Sequence, residues 1–141
     1  MKSKISGIVL ATLAGAALFV APSVEASAST QSVGCYGDYC SGQDPMAMNC
    51  AADAYTVASA GVYGTYGQQY VEIRWSPTCK TNWARANFPT GNIKAVQETG
   101  YTAGYGDSNG SVSWSRMIYS PVLRVKAVIW GAWGVTETAY V

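Results

Sequence analysis

The sequence predicts an all-β protein, a small antiparallel β-barrel or β-sandwich of about six to eight strands stapled by two disulfides. Three observations lead there. Apolar residues recur at period two rather than at the period of a helix. Turn residues (Pro, Gly, Asn) break that alternation at short intervals. Four cysteines, Cys35, Cys40, Cys50 and Cys79, follow an N-terminal stretch with the make-up of an export signal.

Val71, Ile73 and Trp75 share one side of a strand, with Glu72 and Arg74 on the other. Ser76-Pro77-Thr78 is a turn, because proline presets φ and cannot donate to a ladder. The chain then returns from Asn82 to Phe88, with Trp83 and Arg85 on one face and Ala84, Ala86 and Phe88 on the other. Gln69 to Phe88 is therefore a hairpin. Glu72 and Arg74 are placed to pair across strands with Arg85. Pro89 to Asn92 is the next turn, followed by a strand from Ile93 to Thr99. Gly100 to Asn109 reads as a strand entering a long loop that carries Tyr101 and Tyr105. Asn109-Gly110 is a hairpin signal in which both positions would take positive φ. Val112, Trp114 and Arg116 alternate after it, and Pro121 interrupts the pattern. Arg124 to Trp130 and Val135 to Val141 are the last strands, divided by Gly131-Ala132-Trp133-Gly134. A short helix fits Pro45 to Tyr55.

Lys2 and Lys4 precede an uncharged apolar run of about 14 residues, Ile8 to Ala21. That is the length of a signal h-region and short of the roughly 20 residues that span a bilayer. Pro22 ends the run, and small residues place cleavage after Ala26 or Ala28. The expected organisation is a signal peptide over 1–26, a flexible segment over 27–34 and a single all-β domain over 35–141. Ala16 stands where a lipid-attachment box opened by Leu13-Ala14-Gly15 needs cysteine, and Glu137 to Val141 carries no wall-sorting tail. The product is expected to be secreted and extracellular, with no membrane contact after cleavage.

Loss of Lys2, Lys4 and Glu25 leaves equal numbers of cations and anions. A neutral domain gains no counterion-release attraction, so no nucleic acid is expected as partner. The chain has no histidine, which removes the usual base for a serine or cysteine nucleophile and the usual catalytic-zinc ligand. Carboxylates offer the remaining enzymatic route, from Asp38, Asp44 and Asp53, set against their ordinary use in turns and caps.

Four cysteines allow three connectivities. The expected pair is Cys35–Cys40, closing a tight local loop, and Cys50–Cys79, closing a long one. A redox role would call for Cys-x-x-Cys beside a βαβ unit, and a zinc role for paired short spacings. Neither pattern is present. No metal, cofactor or catalytic residue is expected.

Cys40-Ser41-Gly42-Gln43-Asp44-Pro45 with Cys50-Ala51-Ala52-Asp53-Ala54, then Val71 to Cys79 followed by Asn82-Trp83-Ala84-Arg85, then Trp114 to Pro121, together resemble the YjfA-like secreted proteins of Gram-positive bacteria. That family is carried as a domain of unknown function, so the resemblance implies secretion and no activity. Many members have a further cysteine near the C-terminus, and this chain has none after Cys79.

Five tryptophans and ten tyrosines in a chain with few charges suit half-buried sheets and wet binding surfaces. The leading expectation is a secreted accessory protein that binds rather than catalyses. A cell-envelope or environmental polysaccharide would stack on Tyr101, Tyr105, Trp130 or Trp133. The alternative is a secreted antagonist acting on an extracellular protein or neighbouring cell, either a protease inhibitor using Ser76-Pro77-Thr78-Cys79 or a bacteriocin-like toxin. A small carboxylate-based hydrolase comes third.

Overall fold

A computed structural model describes residues 32–64, 67–132 and 134–141. The expected signal peptide over 1–26, its cleavage after Ala26 or Ala28, and Trp133 lie outside the described residues.

Among the described residues ten strands form two antiparallel sheets: β1 (Tyr55–Gly64), β2 (Gly67–Ser76), β3 (Thr81–Ala86), β4 (Ile93–Gln97), β5 (Thr102–Ala103), β6 (Tyr105–Ser108), β7 (Ser113–Ser115), β8 (Ile118–Tyr119), β9 (Val125–Gly131) and β10 (Gly134–Glu137). The first sheet runs β1-β2-β3-β7-β6, with β8 also paired to β3. The second runs β10-β9-β4-β5. The two lie face to face as a sandwich, and no closed barrel forms among the described residues. The strand count exceeds the six to eight expected because β1 is added and the Gly100–Ser120 region breaks into four short strands, β5 to β8.

The core between the sheets follows from period-two alternation. Val71 and Ile73 of β2, Ala84 and Ala86 of β3, Ile93 and Ala95 of β4, and Val125, Ala127 and Ile129 of β9 are buried in one cluster. Within the first sheet Val71 stands opposite Ala86 and Ile73 opposite Ala84, and within the second Ile93 stands opposite Ile129 and Ala95 opposite Ala127. Glu72 and Arg74 face away from this core, and Glu72 meets Arg85 at 3.0 Å in direct cross-strand register.

β3 is buried on both faces, unlike an ordinary sandwich strand. Its second face is covered by residues 33–54, which wrap over Trp83, Trp114 and Met117. Two 3-10 turns, Gly37–Cys40 and Cys50–Ala52, shape this cover, and no longer helix forms there. Two disulfides pin it: Cys35–Cys40, with Cα atoms 5.3 Å apart, and Cys50–Cys79, 5.8 Å apart. Cys50–Cys79 ties the cover to the turn between β2 and β3.

The fourth strand position beside β3 is divided. β7 pairs with Arg85 and Ala86, and β8 with Thr81 and Asn82. Between them the chain leaves β3, and Met117 exchanges main-chain bonds with Gln43 and Gly42 at 3.0 and 2.9 Å. The Ala84 N–H left behind donates to Ser115 Oγ at 2.9 Å in a buried position. A bulge at Gly106 accompanies this break, where a Cβ would come within 3.1 Å of the Ser115 backbone.

The Asn109-Gly110 turn differs from its expected form. Only Gly110 takes positive φ. Asn109 instead accepts Ser111 N–H and Val112 N–H on its side-chain oxygen, both at 3.0 Å, so the loop is wider and closed by the side chain.

Candidate binding face

The inward residues of β4 and β9 fill the core, so Lys94, Val96, Lys126, Val128 and Trp130 necessarily point outwards. Register arranges them as a grid. Lys94 stands opposite Val128 and Val96 opposite Lys126 across the β4–β9 pair. Val135 stands opposite Trp130, and Glu137 opposite Val128, across β9–β10. Together with Tyr140 they line an open depression of about 540 Å³.

Its floor is aliphatic and its sides are cation–aromatic pairs. Lys94 Nζ lies 5.3 Å from the Trp130 ring centroid, and Lys126 Nζ lies 4.8 Å from that of Tyr140. Arg124 also approaches Tyr140, at 5.9 Å. Lys126 donates to Glu137 at 2.7 Å, and this hydrogen bond raises the Lys126 pKa above its ordinary value. Arg124 pairs with Glu98 at 2.8 Å. Among the described residues Lys94 has no ion-pair partner, so it is the cation this face offers to a ligand. Trp130, 42% exposed, also walls a smaller depression with Phe88, Thr90, Asn92 and Thr136.

Tyr101 and Tyr105 are exposed to a similar degree, 49% and 43%. They lie elsewhere. Tyr101 sits in the β4–β5 connection, where its carbonyl accepts the Gln97 N–H at 2.8 Å. Gln97 is in register with Val125, five positions along β9 from Trp130, which is about 17 Å of strand. Tyr105 opens β6 on the edge of the other sheet. Neither lines a Trp130 depression. Lys94, Lys126, Glu137 and Tyr140 escaped the sequence reading. The β4-β9-β10 register gathers Lys94, Lys126 and Glu137, and the segment beyond β10, bonded to β9 through Thr138 and Val141, adds Tyr140; neither is visible in residue alternation.

The three carboxylates are held by structural bonds. Asp44 Oδ1 accepts Met46 N–H and Ala47 N–H, and its Oδ2 accepts the Trp114 indole. Asp53 accepts Ser76 Oγ–H at 2.6 Å and Thr78 N–H at 2.9 Å. Burial alone would raise the Asp53 pKa, but the bonds from Ser76 and Thr78 outweigh it and hold the carboxyl below its ordinary value. Asp38 accepts Ser41 Oγ–H at 3.2 Å. The Ser76 to Cys79 loop is a closed turn in which Lys80 N–H bonds Ser76 O at 2.8 Å. It does not present extended backbone to a protease.

All four cysteines are bridged, as their spacing suggested. No helix among the described residues is long and apolar enough to cross a membrane. No curated protein and no solved structure matches the chain. Residues 38–128, from the first 3-10 turn through most of β9, match the family model described as a protein of unknown function, DUF2690, and the chain belongs to that family.

Proposed function

We propose that this protein is a secreted, disulfide-stabilised binding module of the YjfA-like Gram-positive type, acting by binding rather than by catalysis. Its ligand is a polysaccharide of the cell envelope or surroundings. The observation that carries this reading is Trp130, an exposed aromatic in an open depression beside Lys94, which has no ion-pair partner among the described residues. An aromatic face stacks on the apolar face of a sugar ring, while a neighbouring ammonium supplies directional hydrogen bonds to its hydroxyls. The missing histidine and the structurally occupied Asp38, Asp44 and Asp53 support binding over hydrolysis.

The test is co-sedimentation of the purified protein with isolated Gram-positive cell wall and with insoluble glycans, paired with tryptophan fluorescence during titration with soluble fragments. Retention on at least one polymer, with a saturable fluorescence change, supports the reading. No retention and no fluorescence change would end it.

A further inference from the structure

Cys35 Sγ lies 3.8 Å from Cys50 Sγ, although each is bonded to a different partner. All four sulfurs lie within 4.8 Å of one another. The two bridges, which close loops of very different length, therefore form one sulfur cluster. Burial separates its members. Cys40, Cys50 and Cys79 are fully buried. Cys35 is half-buried and lines an open depression of about 770 Å³ with Tyr36, Tyr39, Gln43 and Met48. Cys35 is the one member of the cluster that is not buried, and the depression meets the cluster there.

We propose that the two bridges are a single thiol-exchange site, with dithiols as its substrate class and Cys35 as the sulfur that links surface to interior. An external dithiolate attacks Cys35 Sγ, forming a mixed disulfide and releasing Cys40 as thiolate. The second thiolate of the dithiol then displaces Cys35. The dithiol leaves as a cyclic disulfide, oxidised by two electrons, and the Cys35–Cys40 bridge is reduced by the same two. Cys35 thiolate next attacks Cys50 Sγ, its nearest non-bonded sulfur. The Cys35–Cys50 bond forms, the Cys50–Cys79 bond breaks, and Cys79 departs as a thiolate that takes up a proton. This second step is redox-neutral. It carries a surface exchange to a buried cysteine without opening either sheet.

The experiment is limited reduction of the native protein with equimolar dithiothreitol at about pH 8, acid quenching, alkylation and peptide mapping. The expected product is a Cys35–Cys50 bridge with Cys40 and Cys79 alkylated. Its yield at a fixed time should rise between about pH 6 and 8, because thiolate is the attacking species. One-bridge molecules that all retain Cys50–Cys79 would overturn the proposal. So would a mixture of only fully oxidised and fully reduced protein. Cys40→Ala, which leaves Cys35 free from the start, should show both Cys35–Cys50 and Cys50–Cys79 molecules. Cys50–Cys79 alone would contradict the exchange. If that variant does not fold, the native-protein result decides by itself.

Discussion

Asp44 and Trp114, 70 residues apart in the chain, meet through a 2.8 Å hydrogen bond from the indole Nε1 to Oδ2. The same carboxylate receives two N–H groups of its own turn at 2.8 and 3.0 Å. One side chain thus shapes the Asp44-Pro45 turn and latches the N-terminal cover to β7. Asp44→Ala removes three charge-assisted bonds and leaves the indole N–H of the buried Trp114 without its acceptor. It should cost about 2–3 kcal/mol in urea unfolding. Glycan binding by the folded variant should be unchanged, because Asp44 does not line the Trp130 depressions.

Asp53 joins the cover to the β2–β3 turn through Ser76 and Thr78. Its folded pKa lies below the ordinary value, so its contribution to stability is complete above the unfolded pKa of about 3.9 and is lost as pH falls through the folded one. Melting temperatures of the native protein and Asp53→Asn should differ at neutral pH. The gap should close as pH is lowered below about 4. A gap independent of pH across that range would show that Asp53 acts through something other than its charge.

The longer bridge closes a loop with a separation of 29 residues and the shorter one of 5. In the chain-entropy model these constrain the unfolded state by about 3.5 and about 2 kcal/mol. Cys50→Ala/Cys79→Ala should therefore lose more stability in urea than Cys35→Ala/Cys40→Ala. The two bridges touch, so the losses need not add.

Ser115 stands where β3 loses its main-chain neighbour. Ser115→Ala leaves the buried Ala84 N–H without an acceptor and should cost about 1–3 kcal/mol. Ser111→Ala, on the exposed turn nearby, should change stability by less than about 0.5 kcal/mol.

The sequence was most legible where one residue pattern decided one structure. Val71, Ile73, Trp83, Ala84 and Ala86 alternate cleanly, and the Gln69–Phe88 hairpin stands as β2 and β3. The pairing of Glu72 with Arg85 followed from it. β1 was not legible. Its Ala, Ser and Gly residues have weak strand preference, and its pairing along the whole of β2 supplies the order instead. Gly100 to Asn109 reads as one strand entering a long loop, whereas the chain forms two short strands, β5 and β6, which a single residue, Gly104, separates into different sheets. Trp130 was singled out from its chemistry. Lys94 and Tyr140 were not, because the β4–β9 register brings Lys94 beside Trp130, and main-chain bonds from Thr138 and Val141, beyond β10, to β9 bring Tyr140 beside Lys126.

The proposed ligand site is the outer face of β9 around Trp130. The most direct measurement compares Trp130→Ala with Tyr101→Ala and Tyr105→Ala in co-sedimentation with the polymer that retains the native protein. Loss of an aromatic anchor at the centre of a binding face costs about 2 kcal/mol. Trp130→Ala should therefore bind at least about tenfold more weakly, with the fold intact by circular dichroism, while the two tyrosine variants bind like the native protein. Native affinity in folded Trp130→Ala would contradict the account and move the ligand to another surface.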